Sequence, residues 1–165
     1  MEKGNTRGFT LIELLVAMSI FIVVITIVFG LFSSAIKGQR RVIAMQNIQE
    51  NARFMLEFMA KEIRMSIINS PDGVSDTLSI TRSDGDDVVY AISNGRIFRD
   101  SPSSDDAISA EEVFVTGNFF IEGVGIDDTQ PKVTIEIKVQ GIGDRPEEQA
   151  FIDVQTTLSQ RVLDI

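Results

Sequence analysis

Residues 7–36 read RGFTLIELLVAMSIFIVVITIVFGLFSSAI. From Phe9 to Ile36 the stretch is almost unbroken apolar sequence, and as a helix it is roughly 42 Å long, enough to cross a hydrocarbon core of about 30 Å. Leu14 to Phe32 carries no charge, and only Ser19 and Thr26 are conspicuously polar within it. A membrane-competent helix follows, in preference to a helix buried in a soluble core. The one ionisable side chain inside the run is Glu13, near its start, and an ionised carboxylate deep in hydrocarbon costs about 3 kcal/mol or more.

Three readings of Glu13 are open from the residues. Thr10-x-x-Glu13 before an apolar run fits a capping box, in which each side chain satisfies an amide of the other's backbone at a helix start. A second places the carboxylate at the interface, solvated among headgroups. A third requires a cation brought by another chain.

The remaining composition narrows the field. A chain of 165 residues with one membrane-length run leaves room for one modest head domain. It has no cysteine and no histidine, which excludes disulfides, thiol chemistry and imidazole-based catalysis or metal binding. The formal charge of -9 argues against nucleic acid as a partner.

Gly8-Phe9-Thr10-Leu11-Ile12-Glu13, behind a short leader carrying Lys3 and Arg7, resembles the processing site of type IV prepilins and type II secretion pseudopilins. The resemblance implies cleavage between Gly8 and Phe9 by a membrane prepilin peptidase on the cytoplasmic side, and methylation of the new Phe9 amino terminus. Removing residues 1–8 takes away Lys3, Arg7 and Glu2 and leaves side chains of net charge -10, from -9. It also supplies the cation for the third reading of Glu13, the amino terminus of a neighbouring subunit drawn into a filament. Opposite charges in a low-dielectric bundle attract strongly and an unpaired one is costly, so such a pair sets the axial register between subunits. The implied partners are other pilin or pseudopilin subunits, the peptidase and an inner-membrane assembly platform; no cofactor is implied.

The flanking charges do not decide orientation, since Lys3 and Arg7 precede the run while Lys37, Arg40 and Arg41 follow it. Only the resemblance puts the leader inside and the head outside: a single-pass protein of the inner membrane first, then a periplasmic or extracellular filament. A permanently anchored extracytoplasmic binding domain that never polymerises is the alternative. The run has no proline, where many pilins bend; Gly30 stands near that place and reads either as a weak point or as an ordinary membrane-helix glycine. The absence of cysteine departs from the many pilins whose heads carry a disulfide.

Beyond Ile36, Met45, Ile48, Ala52, Met55, Met59 and Ile63 recur at helical spacing, with Phe54, Leu56 and Phe58 widening the stripe. Arg40, Gln46, Glu50, Arg53, Lys61, Glu62 and Arg64 are expected on the polar face. The helix is expected to continue to Asn69 and to stop at Ser70-Pro71-Asp72-Gly73. Strands are expected at 77–81, 87–92 and 96–99, the last two joined by Ser93-Asn94-Gly95, and then a surface loop at 100–112. One strand or two are expected in 113–122 around Gly117-Asn118. Residues 132–139 alternate cleanly, and after a polar turn at 141–148 a strand over 150–158 pairs with them.

The fold class is therefore α+β: a long N-terminal helix, membrane half then amphipathic half, packed on a C-terminal antiparallel sheet in a pilin-like lollipop. The expected divisions are leader 1–8, membrane or filament-core helix 9–36, amphipathic helix 37–69 and β-rich head 70–165. Asn51-Ala52-Arg53-Phe54, Glu62-Ile63-Arg64-Met65 and Gln155-Thr156-Thr157-Leu158-Ser159 are similar to PilW-type minor pilins and J-type minor pseudopilins, which implies a subunit that initiates or caps a filament.

No catalytic motif positions carboxylates for acid–base work, and no enzyme is implied. The turn Asp84, Asp86, Asp87 is the densest acidic cluster and a weak calcium candidate whose spacing departs from the EF-hand; Asp105, Asp106, Glu111 and Glu112 have less support still.

Overall fold

A computed structural model describes residues 8–101, 104–125 and 129–161. The chain divides into two compact units, residues 1–39 and residues 40–165. Helix α1, Leu11–Arg64, runs through both. In the first unit it is the apolar run, unbroken at Gly30, with its side chains almost all exposed. No proline interrupts the backbone ladder, and Ser19 and Thr26 return their hydroxyl protons to the carbonyls of Leu15 and Ile22, each at 2.8 Å. These two hydroxyls are thereby satisfied within the helix itself, as a hydrocarbon solvent requires.

In the second unit α1 buries Ile48, Ala52, Met55, Met59 and Ile63, the expected stripe less half-buried Met45. These residues share a core with two antiparallel sheets. The strands are β1 Ser66–Ile68, β2 Gly73–Ser75, β3 Thr77–Arg82, β4 Asp87–Ser93, β5 Arg96–Ser101, β6 Ser104–Ala107, β7 Val113–Glu122, β8 Lys132–Gly141 and β9 Phe151–Ser159. One sheet has the order β1-β3-β4-β5-β6, the other β2-β7-β8-β9. The α+β class and the helix-on-antiparallel-sheet architecture expected from the pattern are what the chain adopts.

Several local expectations are corrected. Two sheets replace one, because among the described residues no ladder joins strands β3 to β6 with strands β7 to β9; β1 and β2, each three residues long, add to one sheet apiece, on β3 and β7. The helix ends at Arg64 rather than Asn69: Ser66–Ile68 finds a ladder on Ile80–Arg82, which outweighs the helical pattern of two β-branched isoleucines. Ser70-Pro71-Asp72-Gly73 consequently does not stop the helix. Its Asp72 carboxylate accepts from the amides of Gly123 (3.1 Å) and Val124 (2.9 Å), pinning the end of β7.

The loop expected at 100–112 contains β6, paired with β5 from Phe98 to Ser101. Residues 113–122 form one strand that passes straight through Gly117-Asn118. Gly117 permits a close approach there instead of a turn, since a Cβ on it would meet the Glu136 carbonyl and lie 2.8 Å from the Ile137 Cα.

The hairpin at Asn94-Gly95 is as expected, with φ of 50° and 74° suited to a tight two-residue turn. Strand β8 has the cleanest alternation and the deepest burial: Val133, Ile135, Ile137 and Val139 are all essentially inaccessible. Phe54 and Phe58 do not widen the stripe. They lie outside it with ring centroids 6.1 Å apart, Phe54 mostly exposed and Phe58 partly covered.

Candidate functional site at the start of the apolar helix

Helix α1 begins with its amides unpartnered, as every helix does, and Thr10 and Glu13 answer that need locally. The Glu13 Oε2 accepts from the Thr10 amide at 3.1 Å and from the Thr10 hydroxyl at 2.9 Å. The Glu13 amide donates to the Thr10 hydroxyl oxygen at 3.3 Å, and the Leu14 amide reaches the Thr10 carbonyl at the same distance. This is a reciprocal capping box, with a negative charge in the first turn where the helix dipole favours it. Of the three readings of Glu13, the cap is the one realised within the single chain.

The cap leaves the surroundings open. Phe9 is 81% exposed, Leu11 and Ile12 nearly as much, and Gly8 has nothing within 4 Å of where a side chain would stand. The Gly8-Phe9 peptide bond lies just outside the helix, in residues without regular structure. Lys3 and Arg7, the expected leader charges, lie outside the described residues. The helix is long and apolar enough to cross a membrane, and none of its most apolar window is buried by the rest of the chain. Side chains such as Leu14, Ile20, Phe21 and Phe29 must be covered by lipid or by other helices.

The other candidates separate from this site. Asp84, Asp86 and Asp87 sit at the β3–β4 turn. Asp84 accepts from the Asp86 amide (3.2 Å) and pairs with Arg82 (2.9 Å), while Asp87 accepts from the Thr81 hydroxyl (2.6 Å). The carboxylates of Asp84 and Asp87 serve the turn. Among the described residues no group of three His, Cys, Asp or Glu is placed to hold a metal ion. Asp106 lies on β6 opposite Arg99, and Asp105 opposite Asp100. Glu111 makes a long contact of 3.8 Å with Arg96.

What residue reasoning missed is Glu62, which belongs to the core side of α1 and not to its polar face. Its side chain is 15% exposed and takes a forked pair of bonds from Arg99, Nε at 2.9 Å and Nη2 at 2.6 Å. It also accepts from the Tyr90 hydroxyl, and Arg82 stands 3.4 Å away. Burial pushes the Glu62 pKa up, but the bonds from Arg99 and Tyr90 and the charges of Arg99 and Arg82 outweigh it, so the net direction is down. Burial and the Glu62 bond both hold the Tyr90 phenol well above its ordinary value, and the Glu62 bond raises Arg99. The signal available was the spacing of Glu62 from Met59 and Met55, one turn and two turns along the same side.

Comparison with known proteins agrees with the local reading. Residues 3–29 match the family model described as the prokaryotic N-terminal methylation motif, so the chain carries a type IV prepilin-like signal there. No curated protein and no solved structure matches the chain.

Proposed function

We propose that this chain is the precursor of a filament subunit of the type IV pilin or pseudopilin class, cut between Gly8 and Phe9 and methylated on Phe9. The observation that carries the reading is the methylation motif over residues 3–29, coincident with a helix whose apolar side chains have no cover in the single chain. Cleavage and methylation place a charged amine one residue ahead of the capping box. In the membrane Glu13 caps its own helix; in a filament its carboxylate is the partner for the amine of an adjacent subunit. Exchange of one role for the other explains why a charge is tolerated at the head of an apolar run.

On this reading the protein is structural and not enzymatic. It is stored in the cytoplasmic membrane with residues 40–165 on the far side, and is passed by an assembly platform into a periplasmic or extracellular filament. The finer role is that of a minor subunit, which initiates or caps the filament; the sequence stretches around Asn51–Phe54 and Gln155–Ser159 support it. Mass spectrometry of the chain co-expressed with a prepilin peptidase tests the first step. Loss of residues 1–8 with one added methyl group is expected, and an intact leader beside an active peptidase refutes it. Glu13→Ala is expected to leave cleavage and membrane insertion intact while lowering co-assembly with partner subunits; unchanged incorporation would reduce Glu13 to a helix cap.

A further inference from the structure

Strand β9 stands last in its sheet, with no further strand paired to it among the described residues. Its register against β8 is unbroken from Phe151 to Ser159, and the Gly141 amide donates to the Ala150 carbonyl (3.0 Å) while the Gln160 amide donates to the Pro131 carbonyl (2.9 Å) on the same register. Those two bonds settle the parity of the ladder: even-numbered residues turn their backbone groups to β8, and Phe151, Asp153, Gln155, Thr157 and Ser159 turn theirs outward. Among the described residues these outward amides and carbonyls have no backbone partner. The remaining sheet ends, β1, β2 and β6, are only three, three and four residues long. Short edges are a common defence against unwanted pairing, as are proline, lysine and bulges. The nine residues of β9, FIDVQTTLS, contain no proline, lysine or bulge, and Asp153 is their one charge.

The face beneath the edge is equally incomplete. Whereas the inward residues of β8 are sealed, Ile152, Val154 and Thr156 of β9 remain half-buried. Beside them runs a cleft of about 710 Å³ between β9 and α1, with Leu56, Ala60 and Leu158 in its wall, continued toward Ile152 and Val154 by a second hollow over Ala52. At the Ser159 end three cations line it, Lys61, Arg64 and Arg161, none with an ion-pair partner among the described residues. Glu57, which also lines the cleft, is paired with Arg53 at 2.7 Å, so in a chain of net charge -9 the cleft keeps a local excess of positive charge that favours an acidic ligand.

We propose that the β9 edge is a docking site for an extended, carboxylate-bearing segment of another protein chain, which adds antiparallel to β9. Its alternate apolar side chains cover Leu56, Ala60 and the half-buried residues of β9, and its acidic amino-terminal end meets Lys61, Arg64 and Arg161. Backbone bonds supply general affinity, and the basic end selects the partner and its direction. The inference goes beyond the filament reading and does not rest on it.

The test uses the full chain in detergent micelles and two synthetic nine-residue peptides of alternating valine and threonine, one led by two aspartates, the other by two lysines. The acidic peptide is expected to slow amide exchange at Asp153, Gln155 and Thr157 by about tenfold or more, leaving the already bonded Ile152, Val154 and Thr156 unchanged. Gln155→Pro removes an outward amide while sparing the β8 ladder, an arrangement proline tolerates on an edge, and is expected to abolish that protection. Lys61→Glu combined with Arg161→Glu keeps the edge and is expected to reverse the preference between the peptides. No slowing at the odd positions at about 1 mM peptide, where even a weak complex forms, overturns the proposal. So does binding indifferent to Gln155→Pro, or binding indifferent to the charge reversal.

Discussion

Replacing Glu62 by glutamine preserves shape and removes one charge from the middle of the head. Arg99, whose side chain is only 12% exposed, loses the forked carboxylate that accepts its Nε and Nη2 bonds, and Tyr90 loses its charged acceptor. Breaking a buried ion pair from one side costs about 3–5 kcal/mol. Here the amide oxygen still accepts one bond, and Arg99 retains Ser101 at 2.9 Å, so a loss of about 2–3 kcal/mol is expected. For a domain of this size that lowers the unfolding temperature by roughly 10 °C.

The chain supplies its own reporter, since Tyr90 is the single tyrosine and there is no tryptophan. Urea or thermal unfolding of the full chain in a mild detergent, followed by tyrosine fluorescence, reads the cluster directly. The pH dependence sharpens the test. The Glu62 pKa is lowered in the fold from about 4.5, so its contribution is complete above that value and is lost as pH falls through the folded pKa. Wild type should lose this increment on acidification, and Glu62→Gln should not have it to lose. A stability change under about 0.5 kcal/mol, the range of a surface substitution, would show that the cluster does not hold α1 to the sheet.

Other outcomes follow from single residues. Tyr90, buried and bonded to Glu62, should show no tyrosinate absorbance near pH 10, where a free phenol is half ionised; the neutral phenol's stabilisation is lost only as pH rises toward its folded pKa, so ionisation should coincide with loss of native circular dichroism. Ordinary titration in the native state would refute the burial. Gly117→Ala places a methyl against the Glu136–Ile137 backbone and should cost about 2 kcal/mol or more in urea unfolding, against a few tenths at open Gly38 outside the sheet after allowing for helix propensity.

The residues predicted unequally well, and the differences are physical. The alternation of Val133, Ile135, Ile137 and Val139 names its own strand, since period two in side chains is a local property that one buried face merely uses. Asn94-Gly95 names its turn because few other residues accept positive φ twice in succession. Gly117 carries no such local mark: a glycine that admits a neighbouring backbone looks in sequence like a glycine that turns the chain. β6 was hidden in DSPSSDDAISAEE, whose polar composition suits a loop and whose strand character comes from pairing with β5.

By itself the sequence determined the features that need no partner within the chain. These are the apolar run that calls for lipid or other helices, the methylation motif at its start, the Thr10–Glu13 box and the stripe from Ile48 to Ile63. Each rests on neighbours within one or two helical turns or on composition. The tertiary structure alone decided that Glu62 turns inward to Arg99 and Tyr90, that the strands divide between two sheets, and that β9 is left as an open edge beside three cations. Those outcomes depend on residues tens of positions apart, where backbone pairing and charge desolvation, both nonlocal, choose among arrangements that local pattern leaves equal.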